Sequence, residues 1–437
     1  MRKNHNAVPM TQHLHFSREQ ALSLDASNPL ARFREAFYHA PGVTYMDGNS
    51  LGLFPREAGR SLERIMDEWK NLGIRGWLEG QRPWFWFAEQ LGAMAAPLVG
   101  ARPEEVVMTG TTTVNIHSLV STFFQPEGQR CKILADALNF PSDIYALQGQ
   151  MKLHGLNPDK DLVLVQAEGA LLDEQKIIEA MTEEVALVFL PSVLYRTGQL
   201  LNMELLTREA HARGILIGFD CSHSVGAVPH CFNKWDVDFA LWCSYKYLNG
   251  GPGAPAFLYV NERHFGKEPL LAGWFGCRKD RQFEMLNQFI PEAHAGAWQI
   301  SSPGILGGAP LEGSLQITLD AGIERIREQS LKLTAFLAEG IETRLMARFP
   351  GFGIATPMQD HRRGGHIALT HPEAQRINEA LKARNIIPDL RPPNIIRLAP
   401  VALYNTFEEV YYVVSSLEQI MEGNEYERYS GERKAIT

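Results

Sequence analysis

The feature that most limits what this chain can fold into is an alternation running through its middle. Short apolar runs, several rich in β-branched residues, occupy positions 105–108, 132–135, 162–165, 185–190, 215–219 and 239–242. Helix-like stretches lie between them, at 113–124, 142–154, 173–182 and 203–213. A strand, a helix and a strand repeated in this way close into a mostly parallel sheet, because each crossover helix returns the chain to the same sheet edge and covers a face of the sheet. A further run at 256–260, after a Gly/Pro-rich loop, is expected to add an antiparallel neighbour. The fold class is therefore α/β.

The pattern changes near residue 311. Positions 311–348 form one long amphipathic stretch, either two helices or one bent helix. Strand-like pieces at 365–370 and 394–398 flank a helical stretch at 373–384, which together read as a smaller α+β module. Residues 1–65 hold helical pieces and a turn-rich stretch at 47–52, and are expected to pack with that module. The division expected is an N-terminal segment 1–65, a large domain 66–310 and a small C-terminal domain 311–437.

Composition removes several function classes. The net charge is −8 and lysine and arginine form no block, so the electrostatic footprint of a nucleic-acid binder is missing. No apolar run is long enough to cross a bilayer, and residues 1–20 lack the apolar stretch of a secretory signal. The five cysteines are odd in number and form no C-x-x-C pair, the usage of reduced thiols in a cytoplasmic protein. Cys221 and His223 with His230 and Cys231 match no standard zinc spacing, so no metal is expected.

Two polar groups end strands in this pattern. Asp220 follows the run 215–219, and Lys246, within Ser244-Tyr245-Lys246-Tyr247, follows the run 239–242. Ligands of open α/β sheets collect outside the carboxyl ends of the strands. An amine and a carboxylate are also the pair that pyridoxal-phosphate chemistry needs. The amine forms an imine with the aldehyde, and the carboxylate keeps the pyridine nitrogen protonated so that the ring draws electrons from Cα. Alone, such a pair is more often a strand-end carboxylate and a surface lysine; its neighbours change the reading. Met108-Thr109-Gly110-Thr111-Thr112-Thr113 stands at a strand-to-helix junction, where free backbone N–H groups and hydroxyls make a phosphate site, although a threonine there is also an ordinary helix cap. Phe140-Pro141-Ser142-Asp143 opens a helix with a ring able to stack on a planar cofactor and a carboxylate beside it. His223 lies three residues after Asp220. Arg397 ends a strand-like run in the small module, and a guanidinium can grip a carboxylate with two hydrogen bonds. Trp77, Trp84, Phe85, Trp86 and Phe87 offer the wall of an aromatic pocket, although four consecutive rings point several ways and some must be core.

The longer motifs around these residues resemble kynureninases, in family order. They are Asp47-Gly48-Asn49-Ser50-Leu51-Gly52-Leu53, Thr113-Val114-Asn115-Ile116-His117, Phe140-Pro141-Ser142-Asp143, Gly218-Phe219-Asp220, Trp242-Cys243-Ser244-Tyr245-Lys246-Tyr247-Leu248-Asn249, Gly273-Trp274-Phe275-Gly276 and Arg397-Leu398-Ala399-Pro400. The resemblance implies PLP fold type I, a relative of class V aminotransferases, acting on a small amino acid as a homodimer with shared active sites. It implies hydrolysis of the Cβ–Cγ bond of L-kynurenine or 3-hydroxykynurenine, releasing anthranilate or 3-hydroxyanthranilate and L-alanine. Carried over to this chain, Lys246 is the Schiff-base lysine, Asp220 pairs with the pyridinium, and Tyr245 bonds the phosphate and relays protons. Thr112 and Thr113 reach the phosphate, Phe140 stacks on the ring with Asp143 beside it, and Ser192 and His223 contact the cofactor. Trp274 and Ser302 reach the cofactor from the partner subunit. Arg397 and Ser50 lie at the substrate carboxylate, and Trp77 and Ser301 near its aryl end.

The chain departs from the family at two of these positions. Ser302 stands where relatives tend to carry Asn or Thr, and Trp77 where animal enzymes have His. The bulk of Trp77 favours L-kynurenine, while the small Ser301 and Ser302 leave room for a hydroxyl; the steric effect is given more weight. Three other readings remain. A cysteine desulfurase needs a nucleophilic cysteine well beyond the lysine, and only Cys277 follows Lys246. An aromatic aminotransferase shares the same cofactor groups. A catalytically dead binding homologue is disfavoured by the presence of both Lys246 and Asp220.

Overall fold

A computed structural model describes residues 15–432; most of the N-terminal stretch read for a secretory signal lies outside them. The strands in chain order are β1 (Thr44–Tyr45), β2 (Val106–Met108), β3 (Lys132–Asp136), β4 (Leu162–Val165), β5 (Val185–Pro191), β6 (Leu216–Asp220), β7 (Phe239–Trp242), β8 (Phe257–Val260), β9 (Gly353–Ile354), β10 (Ile367–Thr370), β11 (Ile386–Ile387), β12 (Asp389–Arg391) and β13 (Ile395–Leu398). Seven of them form one sheet in the order β2-β8-β7-β6-β5-β3-β4. Strands β3 to β7 run parallel, and β8 is antiparallel to both β7 and β2. Strands β5, β6 and β7 are apolar and buried along nearly their whole length, the pattern of strands covered on both faces rather than one.

This order places the chemistry. Because β8 is antiparallel to both its neighbours, β2 is parallel to β7, and its carboxyl end faces the same edge as those of β3, β5, β6 and β7. The helix Thr112–Phe123 therefore begins at that edge, as do the loops after Asp220 and Trp242.

The second sheet is antiparallel, in the order β12-β13-β10-β9, and packs on the helices Ile323–Gly340, Ala374–Ala383 and Phe407–Glu422 around its own apolar core. The long amphipathic stretch is two helices, Ile305–Ala321 and Ile323–Gly340, separated at Gly322 with φ 80°. The first begins earlier than the periodicity suggested, since it carries Pro310 inside it.

The N-terminal residues divide their contacts. The helix Arg18–Ala26 lies on Phe407–Glu422, where the Asp25 carboxylate accepts the N–H groups of Phe407 and Glu408 at 2.8 and 2.9 Å. Strand β1 pairs with β11 of the smaller module. The helix Arg56–Leu72 lies instead along Ile305–Ala321. The divisions at 65/66 and 310/311 fall inside these two packed helices, and the larger core takes in Ile323, Ile326 and residues 401–404 from beyond 310. All five cysteines are free, and no helix among the described residues is long and apolar enough to cross a membrane.

Candidate active site

The strand-end residues meet in a cavity of about 330 Å³. Thr112, Thr113, Phe140, Asp143, Asp220, His223, Tyr245 and Lys246 line it from the large sheet's edge, Ser50 from the 47–52 loop, and Arg397 from the small sheet. Each arrives there for a local reason. Gly110 turns the chain after β2 with φ 54°, and the Asn115 amide donates to the Thr109 carbonyl at 2.9 Å, holding that turn against the helix start. The N-cap Thr111 makes no side-chain cap, so the first N–H groups of Thr112–Phe123 have no hydroxyl partner from it and face the cavity end of the helix dipole. The 47–52 loop is held between the two sheets: Ala399 donates to the Met46 carbonyl at 2.8 Å and Gly52 to the Tyr245 carbonyl at 2.8 Å.

The electrostatics centre on two carboxylates. Asp143 and Asp220 are neighbours, and both are buried. Burial, and then the charge of Asp220, push the Asp143 carboxyl well above the usual carboxylate range. Asp143 Oδ2 has no partner, while the Ser222 N–H holds Asp220 Oδ1 at 2.7 Å. Two adjacent buried carboxylates with an unsatisfied oxygen suit a ligand that brings a cationic N–H between them. Lys246 Nζ lies 2.8 Å from His223 Nε2. Burial, reinforced by the charges of Lys246 and Arg397, keeps the His223 imidazole well below its usual value, so it is neutral and can accept from the amine. Phe140 leaves 43% of its surface open and meets the Tyr195 ring edge-on at 5.1 Å.

These features fit pyridoxal phosphate. A helix start with free N–H groups and two threonines suits the phosphate, the exposed Phe140 ring suits the pyridine face, the carboxylate pair suits the ring N–H, and Lys246 suits the aldehyde.

Five of the residues singled out in the sequence lie outside this cavity. Ser192 is fully buried behind Asp220: its hydroxyl meets the Asp220 carbonyl at 3.3 Å and Ser224 Oγ at 2.6 Å, so it braces the end of β6. Trp274 is 44% exposed and lines a separate hollow with Cys277. Gly273 packs so closely on Ile300 that a Cβ would overlap its carbonyl, which sets Trp274 near the exposed Ser301 and Ser302. Trp77 belongs to an apolar hollow with Ile65, Trp69 and Leu306, edge-on to Trp84 at 6.0 Å and 5.8 Å from the Phe275 ring.

The cavity also holds residues that strand-end reasoning missed. Tyr195, Ser222 and Arg391 line it, as does Asn49, which is fully buried with neither side-chain polar atom partnered. Asn49 was within reach, standing beside Ser50 in a motif already singled out. Arg391 had no signal, since β12 is three residues long and shows no periodicity.

The family model for the kynureninase C-terminal domain matches residues 326–417. The chain is 56% identical to a kynureninase of Geobacillus thermodenitrificans (strain NG80-2), over 99% of this chain and all of that one. It is 54% identical to a kynureninase of Bacillus anthracis, over 96% of this chain and 97% of that one. Among solved structures, an apo cysteine desulfurase from Thermococcus onnurineus NA1 superposes with a TM-score of 0.75 at 20% identity, covering 90% of this chain and 98% of that one. A cystine C–S lyase bound to its product cysteine persulfide gives a TM-score of 0.75 at 17% identity, covering 86% and 98%. At such identities the two structures establish a shared fold and nothing more. The sequence relatives reach further: at this identity over nearly the full length, the chain belongs to the kynureninase family of pyridoxal-phosphate-dependent hydrolases.

Proposed function

We propose that this kynureninase acts in the cytoplasm as a homodimer, prefers L-kynurenine to its 3-hydroxy form, and carries out the reaction with the residues of the 330 Å³ cavity. The observation that supports this most is the convergence of Lys246, the Asp143–Asp220 pair, the Thr112 helix start and Arg397 on one space. Pyridoxal phosphate, when bound, supplies an aldehyde for the substrate amine and a ring that draws electrons from Cα. Thr112 and Thr113 hold the phosphate at the helix start, and Asp220, with Asp143 beside it, holds the ring N–H. Phe140 packs on the ring face. Lys246 takes and returns the proton at Cα, with the neutral His223 accepting a hydrogen bond from its amine. Tyr245 is held at the cavity wall, and burial pushes its phenol pKa up, so it acts as a proton donor and not as a phenolate. Arg397 and Ser50 orient the substrate carboxylate, which turns the Cβ–Cγ bond toward the attacking water.

Trp77, Trp274, Ser301 and Ser302 take part through the partner subunit's site. Their place outside the chain's own cavity supports that arrangement. A desulfurase reading has little support, because Cys277 lines the Trp274 hollow and not the cavity.

Steady-state kinetics on both substrates, with the products identified, test the proposal. Anthranilate and alanine in equal amounts are expected, with the higher kcat/KM for L-kynurenine. A preference of about tenfold for 3-hydroxykynurenine, ~1.4 kcal/mol in transition-state binding, would overturn the argument from Trp77.

A further inference from the structure

We propose that Arg391 is a second substrate-binding arginine, and that its guanidinium offers the open hydrogen-bonding edge to the substrate carboxylate while Arg397 is held largely by the protein. The inference rests on the reading that this end of the cavity receives the carboxylate.

The argument begins with Arg397. It is 1% exposed, and each of its three nitrogens already has an acceptor. Nε donates to Asp389, Nη1 to the Tyr195 carbonyl at 2.7 Å, and Nη2 to Ser50 Oγ at 2.9 Å. A two-point grip on a carboxylate needs two adjacent N–H groups aimed at it, and a guanidinium tied in this way has few left.

Arg391 differs in each respect. It lines the same cavity, and its side chain is 31% exposed. It approaches Asp389 through Nε alone, at 3.0 Å, and its terminal nitrogens make no hydrogen bond with the described residues. The sheet register explains the arrangement. Asp389 is paired with Arg397 across β12 and β13, and Arg391, two residues along β12, points to the same face. One carboxylate thus spaces two guanidiniums at the cavity wall, one held largely by the protein and one with its outer edge open. A partly exposed guanidinium edge with unused donors is matched by a carboxylate. The amino-acid substrate brings one; the amine and aryl ends do not.

The test uses holoenzyme and two small probes, L-alanine and L-alaninamide, whose binding is followed through the absorbance of the cofactor. They differ in the carboxylate alone. Arg391→Gln is expected to weaken L-alanine by about tenfold or more and to leave L-alaninamide within about twofold, with partial recovery in Arg391→Lys, which keeps the charge and loses the fork. In turnover, KM for L-kynurenine should rise more than kcat falls. Equal weakening of both probes, or of neither, overturns the proposal. If Arg391→Gln does not take up cofactor, Arg391→Lys decides, since a loss confined to L-alanine supports the proposal and no selective loss overturns it. Arg397→Gln separates this inference from the reading beneath it. If Arg397→Gln loses the selectivity for L-alanine and Arg391→Gln keeps it, the carboxylate end is correctly placed and Arg391 is not part of it. If both variants keep the selectivity, the carboxylate end itself is misplaced.

Discussion

Asp143 and Asp220 lie side by side in the cavity, and burial, with the charge of Asp220, raises the Asp143 carboxyl well above the usual carboxylate range. On the proposed reading, a protonated ring nitrogen bound between them relieves that repulsion, and the pair favours the electron-drawing form of the cofactor. Asp220→Ala should therefore keep part of its cofactor affinity and lose more than ~100-fold in kcat; near-normal turnover would mean that Asp143 alone sustains the protonated ring. Another buried carboxylate serves stability. Asp238 accepts from His211 Nε2 at 2.9 Å, His264 Nε2 at 2.7 Å and the Ile217 N–H at 2.8 Å. Burial pulls its pKa upward, but these hydrogen bonds win and hold it below the usual value. The folded state thus binds that proton less readily than the unfolded chain, so the stabilisation is present above the unfolded carboxylate value near ~4 and is lost as pH falls through the folded one. Denaturant unfolding of Asp238→Asn should show lower stability at neutral pH and a shallower loss on acidification. A parallel offset at every pH would remove Asp238 from the acid limb.

Among the elements, the strand-to-helix turn at Gly110 bears most directly on the cavity. Its φ of 54° suits glycine, and a Cβ there would come within 2.4 Å of Asn115 Oδ1, whose amide ties the turn to the helix. Gly110→Ala should cost ~1–2 kcal/mol at that turn and loosen the phosphate end. Titration of apoenzyme with pyridoxal phosphate should show affinity falling by about tenfold, and unchanged affinity would separate the turn from the phosphate site. The apolar runs that became β3 to β7 were legible because each is continuous and ends in turn or polar residues, so length and composition both indicate a buried strand. Strand β12 was not legible, since three residues carry no period, and Arg391 went unnoticed with it. Ser192, given a cofactor contact by the resemblance, follows β5, and its hydroxyl meets Ser224 and the Asp220 carbonyl. A strand-end position does not say which way a side chain faces.

At the scale of the whole molecule, the cavity lies between two modules. Its large-sheet residues rest on one core and Arg391 and Arg397 on the other. One helix joins the cores: Ile323 and Ile326 pack in the larger, Leu333, Phe336 and Leu337 in the smaller. The exposed Trp274, Ser301 and Ser302 contribute nothing to their own cavity, so a shared-site dimer has a direct test. Lys246→Ala and Trp274→Ala should each be nearly inactive, and mixing the two under subunit exchange should restore part of the activity. A mixture that stays inactive although exchange is demonstrated, or a fully active monomer in sedimentation, would refute the shared site.

The sequence alone determined the α/β class, the sheet edge at which Asp220 and Lys246 stand and, through motif resemblance, the candidates for cofactor chemistry. Those properties follow from hydrophobic period, from polar residues placed where strands end and from short motifs, all local along the chain. Tertiary structure decided the rest. The place of β2 beyond β8, the pairing of Asp143 with Asp220, the capture of Arg397 by Asp389, Tyr195 and Ser50, and the open edge of Arg391 all join residues far apart in the chain or too short in pattern to register. Such contacts depend on strand order, register and side-chain direction, which are settled by packing two cores together and not by any one segment's preference.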